Sequence, residues 1–337
     1  MVFQNIWFSL IGFILASYFF LEGFDYGVGM LLPILGKDDT RRRVIINTIG
    51  PHWDGNEVWL ILLGGAMFAA FPNWYATFFS GFYLPLFILL LSLILRGVSF
   101  EYRGKQESRT WRTVFDWMIF TGSIVPSFLW GVVISNFIRG VPLDANLHYI
   151  GGFWNLFNGF SILGGVVTLL FFLLHGAIFL NLKTEGAVSD LAHKAALNLW
   201  LPAFIAFGGY FILSFSSTDF MPSNQVTLAL ALSILFVLLF VGWFTRSRRM
   251  GISFILGGVV LLLFATFFFD GLYPRLMISS LNPADSLTIS NSASAPYTLQ
   301  VMSGVAVIFI PLILGYQVWA YWTFRRRVKE EPESLEY

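Results

Sequence analysis

Nine stretches of this chain are each long and apolar enough to cross a bilayer, and that repeated pattern constrains the fold more than any motif. They run approximately over residues 6–35, 54–71, 74–95, 114–137, 153–182, 195–215, 226–244, 252–272 and 299–324. A hydrocarbon core of about 30 Å takes on the order of 20 apolar residues in a helix. Backbone polar groups cannot go unpaired in lipid, so spanning segments are helices or closed barrels, and these runs lack the alternation of a barrel strand. Composition agrees. Of 337 residues, 57% are hydrophobic and 12% charged, with a mean hydropathy of +0.73, against roughly a quarter charged in a soluble domain. The expected fold class is an all-α polytopic membrane protein, a single integral-membrane domain over residues 1–337 with nine transmembrane helices. No basic stretch or small-residue cleavage site precedes the first run, which reads as a retained helix.

Lys and Arg fix the orientation. Lys37 and Arg41, Arg42 and Arg43 lie in the first connection, and Arg96, Arg103, Lys105, Arg109 and Arg112 in the third. Lys183 and Lys194 lie in the fifth, and Arg246, Arg248 and Arg249 in the seventh. Arg325, Arg326, Arg327 and Lys329 follow the last stretch. These are 18 of the 20 basic residues, and only Arg139 and Arg275 fall on the other side. The N-terminus is expected outside and the C-terminus in the cytoplasm. The long connection 273–298, rich in Ser, Asn, Pro and Ala, reads either as an ordered cap or as a flexible surface segment. The acidic tail 330–337 reads as a solvated end. A net charge of +1 gives no footprint for nucleic acid. The absence of Cys excludes disulfides, thiolate metal sites and thiol catalysis in this chain.

Ionisable groups inside a span are expensive, so each is a candidate for function. Glu22 and Asp25 in the first stretch are three residues apart and share a helix face. At 1.5 Å per residue, Glu22 lies about 24 Å from Ile6, at or beyond mid-membrane. Gly23 and Gly27 permit close approach of a neighbouring helix. The second stretch opens on Gly50-Pro51-His52-Trp53-Asp54-Gly55-Asn56-Glu57-Val58-Trp59. Asp54 and Glu57 in a first turn after Pro suit a helix N-terminus, but His52 and Asn56 crowd the same turn, between Trp53 and Trp59. Asp54 and Glu57 at the mouth, then Asp25 and Glu22 deeper, would form a stepwise set of proton-accepting groups, as in transmembrane relays. The alternatives are acids that only lock helices together, or a standalone proton-coupled transporter. The latter would carry broken helices in matching halves, and no second broken segment is visible. His175, deep in the fifth stretch, reads as a core histidine or a haem ligand. Asp116 is expected to pair with Arg112, Asp270 to lie near Arg275, and residues 99–103 to form an ion-paired cap after Arg96 ends its helix.

The run Glu22-Gly23-Phe24-Asp25-Tyr26-Gly27-Val28-Gly29-Met30, the second-stretch motif above, and Arg96-Gly97-Val98-Ser99-Phe100-Glu101-Tyr102-Arg103 together resemble subunit II of bacterial cytochrome bd-type quinol oxidases. Order, spacing and the nine-span layout extend the resemblance to essentially the whole chain. It implies a heteromeric terminal oxidase of the bacterial plasma membrane that passes electrons from quinol to dioxygen and makes water. A haem-bearing subunit I would ligate haem b and haem d. This chain would be the non-haem partner of nine helices, two four-helix bundles plus one peripheral helix, contributing to proton delivery from the cytoplasm. Carried over, Asp54 would be the proton-path carboxylate at the subunit interface and Asp25 would lie beside it or further inward. Glu57 and Glu22 join them on geometry alone. His52, Trp53, Asn56 and Trp59 would shape the pocket or face the partner. A structural quinone in this chain and a small accessory subunit are left open by the resemblance.

Overall fold

A computed structural model describes residues 1–222, 224–330 and 335. Eleven α-helices dominate: α1 (Val2–Leu35), α2 (Asp39–Ile49), α3 (Trp53–Ala70), α4 (Pro72–Gly81), α5 (Tyr83–Tyr102), α6 (Arg109–Arg139), α7 (Gly159–Lys183), α8 (Gly186–Ser217), α9 (Gln225–Arg246), α10 (Met250–Leu272) and α11 (Pro296–Thr323). Among the described residues, α1 and α5 through α11 are eight helices long and apolar enough to cross a membrane. The second expected span forms α3 but is not one of these eight, because its first turn is polar with Asp54, Asn56 and Glu57.

The third expected span is redrawn. Residues 74–95 do not form one helix: α4 starts at Pro72 and ends at Gly81, and α5 starts at Tyr83 with Pro85 in its first turn. Proline fits a first turn, where the missing N–H has no intrahelical partner to lose, so the two prolines mark two starts. The helix α5 then runs on to Tyr102, so Arg96 lies inside it rather than in a connection. The first connection also contains a helix, α2, whose N-cap Asp38 accepts a bond from the Arg41 N–H at 2.9 Å.

Helix α1 is the centre of the molecule. Residues 21–32 are buried without interruption, and α1 packs against α2, α3, α6, α7, α10 and α11. Over this stretch α1 is enclosed on all sides, whereas Ile6, Phe13 and Ile34 nearer its ends are exposed. The approach of α7 depends on glycine. A Cβ on Gly27 would lie 2.0 Å from the Phe172 carbonyl oxygen, and one on Gly176 would lie 2.5 Å from the Gly27 backbone. The small-residue spacing therefore seats α1 on α7, as the sequence suggests, while Glu22 and Asp25 reach α5 and α3 instead. At the other extreme α11 has a single buried residue, Leu299.

The connection 273–298 is an ordered cap. Strand β1 (Arg275–Met277) pairs antiparallel with β2 (Leu287–Thr288). The segment is tied down by Val141 N–H to the Ile278 carbonyl at 2.9 Å, Ser280 N–H to the Val141 carbonyl at 2.9 Å, and Ser294 N–H to the Ala70 carbonyl at 2.9 Å. Most of the tail 330–337 lies outside the described residues. The expected pairing of Asp116 with Arg112 is replaced by other partners. Asp116 takes Arg103 at 2.6 Å and Arg42 at 2.8 Å, and Arg112 goes to Asp39 at 2.8 Å, because α2 delivers Asp39 and Arg42 to this end. Asp270 accepts from Asn224 at 2.9 Å and Thr227 at 2.8 Å, and Arg275 pairs with Asp219 at 2.8 Å.

Gly27→Ala should lower the thermal midpoint of the purified protein by an overpacking penalty of about 1–3 kcal/mol. Gly208→Ala, where a Cβ meets nothing within 4 Å, should leave it unchanged. Equal midpoints for the two variants would contradict the packing described.

Candidate functional site

The polar cluster is built where α1, α3 and α5 meet. Arg96 on α5 is fully buried, and its Nη2 donates to Glu22 Oε1 and, at 2.9 Å, to Glu57 Oε1. The guanidinium carbon sits 4.7 Å from the Tyr26 ring centroid and 5.8 Å from that of Phe100, within the range of a cation–π contact. Space for Arg96 comes from Gly122 on α6, where a Cβ would lie 2.6 Å from the arginine Cβ. Glu22 is fully buried, whereas the Glu57 side chain is 20% exposed. Arg96 therefore joins an enclosed acid to one that reaches the surface.

Asp25, fully buried, is held from α3: Asn56 Nδ2 donates to its Oδ2 at 2.7 Å. Asn56 Oδ1 accepts from Gln317 Nε2 and from the Tyr321 hydroxyl, both on α11 and both at 2.9 Å. The His52 ring stacks on Tyr321 with centroids 4.2 Å apart and planes 2° apart. Four polar atoms of the cluster, Glu22 Oε2, Asp25 Oδ1 and Arg96 Nε and Nη1, are buried with no hydrogen-bond partner among the described residues. Next to Glu22, the Tyr26 and Tyr18 hydroxyls hydrogen-bond each other, and Trp130 Nε1 donates to Tyr18 at 3.3 Å.

The structure thus brings Glu22, Glu57, Asp25 and Asn56 into one neighbourhood. Asp54 stands apart, exposed in the first turn of α3. Trp53 packs on Phe100 with ring centroids 5.3 Å apart, and Trp59 is buried against Phe13 at 6.4 Å.

The sequence model described as Cytochrome bd terminal oxidase subunit II matches residues 3–324. The cytochrome bd ubiquinol oxidase subunit 2 of Bacillus subtilis (strain 168) is 43% identical over 331 residues, covering 98% of both chains. The cytochrome bd-I ubiquinol oxidase subunit 2 of Escherichia coli (strain K12) is 35% identical over 373 aligned positions, covering 98% of this chain and 97% of its own. The chain belongs to the cytochrome bd oxidase subunit II family. A bd oxidase structure from Geobacillus thermodenitrificans shares the fold, with a TM-score of 0.75 and 16% identity over 96% of this chain and 99% of that one. The protein is accordingly a multi-pass bacterial membrane protein and part of an oxidase complex, which takes the place of the standalone transporter.

Members of a cytochrome complex work with haem, so the fit of haem to this chain can be tested on His175. Its Nε2 lies 3.3 Å from the Phe20 carbonyl oxygen, and its ring stacks on Phe254 at 4.7 Å and 2°. Its Nδ1 faces the α10 backbone, 2.9 Å from where a Cβ on Gly257 would stand. Neither nitrogen has room for a porphyrin, so His175 is a core histidine. Among the described residues no group of three His, Asp or Glu could hold a metal ion.

Sequence reading missed Arg96, Gln317 and Tyr321. Arg96 had a signal, since the apolar pattern resumes after it at Val98 and Phe100 and an arginine followed by more helix is inside the helix. Gln317 and Tyr321 are four residues apart and share a face of α11, yet nothing nearby in sequence names Asn56 as their partner. Outside the spans, burial and then the charge of Lys183 push the His52 imidazole down from 6.5 to about 4.

Two outcomes follow from this geometry. Arg96→Met should destabilise by about 3–5 kcal/mol, the cost of stranding a buried charge, and adding Glu22→Leu should recover much of the loss in thermal denaturation. A neutral Arg96→Met would contradict the pairing. For His52, the unfolded chain binds a proton below about 6.5 and the folded one below about 4, so stability rises with pH across that window. His52→Gln should flatten the pH dependence of the thermal midpoint between 4 and 6.5.

Proposed function

We propose that this chain is the non-haem subunit of a quinol:dioxygen oxidoreductase in which a haem-bearing subunit I ligates haem b and haem d and holds the quinol site. This chain supplies a proton path from the cytoplasm toward those haems. Reduction of one dioxygen to two waters takes four electrons and four protons. Quinol oxidation supplies the electrons and releases its protons outside, and the consumed protons enter from the cytoplasm.

The observation that carries this reading is the single guanidinium shared by acids. Among the described residues, Arg96 is the one cation held by Glu22 and Glu57, with Asp25 beside them. A buried site with more carboxyl groups than cations has to balance its charge with protons, because uncompensated charge in a low dielectric is costly. Exposed Asp54 opens the path, Glu57 is next on the same face three residues on, and Glu22 and Asp25 lie beyond. His52, Trp53 and Trp59 shape the mouth.

In the same reading the chain is a single integral-membrane unit of nine spans, with α3 as the span outside the eight most apolar helices. The N-terminus lies outside and the C-terminus in the cytoplasm. The packing of α1, α3, α5 and α6, the packing of α7 through α10, and the exposure of α11 support two four-helix bundles plus one peripheral helix. The exposed faces of α3 and α5, with Val58, Ile61, Phe87 and Leu91, are apolar surface for subunit I or lipid.

Asp54→Asn in the assembled complex should cut oxygen turnover at least about tenfold, in line with the loss of a proton-transfer group, with the reduced-minus-oxidised haem spectrum intact. Normal turnover with a normal spectrum would remove Asp54 from the path.

A further inference from the structure

The α11 side of the cluster has a hydrogen-bond arrangement that determines how Asp25 is addressed. An asparagine amide has one acceptor oxygen and one donor nitrogen, and which of the two faces a carboxyl group is set by what else the amide meets. At Asn56 the oxygen already receives two donors, Gln317 Nε2 and the Tyr321 hydroxyl, each at 2.9 Å. Both lone pairs are filled. A reversed amide would turn its oxygen toward the Leu21 carbonyl, which can only accept, and would keep its α11 bonds only if the Gln317 amide reversed and the Tyr321 hydroxyl turned from donor to acceptor. The nitrogen is thereby directed at Asp25 Oδ2, at 2.7 Å, with a second contact to the Leu21 carbonyl at 3.4 Å.

We propose that Gln317 and Tyr321 are positioning residues for Asp25, acting through Asn56. This rests on the reading of Asp25 as a proton-path group. Two further observations support it. Helix α11 buries only Leu299 along its length, yet it sends Gln317 and Tyr321 to the same amide oxygen. The Tyr321 ring is itself held, stacked on His52 at 4.2 Å, so the hydroxyl is aimed and not merely within reach. The outermost helix thus controls an acid on the innermost one. Seating α11 locks the Asn56 amide, and unseating it frees the amide to turn and leaves Asp25 without a fixed donor.

The test uses the complete oxidase complex carrying Tyr321→Phe together with Gln317→Leu. It is compared with wild type and Asp25→Asn by oxygen turnover and by redox-induced infrared difference spectroscopy, in which the carboxyl band lost in Asp25→Asn is assigned to Asp25. Positioning predicts that the double variant shifts or broadens that band and turns over about tenfold more slowly, the equivalent of about one net hydrogen bond, with haem content unchanged. If the double variant does not assemble, Tyr321→Phe alone keeps the ring stack, removes only the hydroxyl, and should shift the same band. An unmoved band with wild-type turnover, where Asp25→Asn is inactive, would overturn the positioning role and leave the path standing. Normal turnover in Asp25→Asn would overturn both.

Discussion

A buried guanidinium that serves two carboxylates is the interaction on which this structure turns. Removing Arg96 and its partners from water carries a desolvation penalty that their mutual attraction only partly repays, so such a group returns little net stability compared with apolar side chains of the same size. The surrounding helices are arranged to tolerate it. Gly122 makes room for the side chain, Tyr26 and Phe100 offer ring faces to the cation, and α1 is enclosed over residues 21–32 so that Glu22 is fully buried. Stability alone does not account for this arrangement, and the proposed proton path gives it a role.

The second constraint is the close approach of α1 to α7. With Gly27 against Gly176, the glycine face of α1 is fixed on one neighbour, and the faces carrying Glu22 and Asp25 must turn toward α5 and α3. Packing on one side of a helix thereby decides the chemistry on the other. The ion pairs of Asp116 and Asp39 with Arg42, Arg103 and Arg112 brace α2, α5 and α6 at the end where Asp54 is exposed, and the capping segment after α10 closes the opposite end.

Much of this was legible in the sequence. Apolar runs of membrane length have few structural solutions, so seven of the nine expected stretches fall in helices long and apolar enough to cross a membrane, although α7 starts six residues later and α8 nine residues earlier than expected. The exceptions are informative. The break at Phe82 and the new start at Tyr83 replaced one expected helix by two, because Pro85, the third residue of α5, suits a first turn. Arg96 was counted with the loop cations, because a charge at the edge of an apolar run looks like its end. Glu22, Asp25, Glu57 and Asn56 stood out because polarity in a span is conspicuous. Their partners did not, since pairings such as Asn56 with Tyr321 join residues far apart in the chain and depend on tertiary packing that no local pattern encodes.

The central claim is that protons for oxygen reduction pass through the carboxyl cluster. Its most direct test is proton uptake during a single turnover. The fully reduced complex, in vesicles with a pH-indicating dye on the side bearing the basic loops, is exposed to oxygen, comparing wild type with Glu22→Gln. The account predicts that the variant keeps its haem spectrum while proton uptake from that side slows by about tenfold or more. Uptake at the wild-type rate from the same side would contradict it.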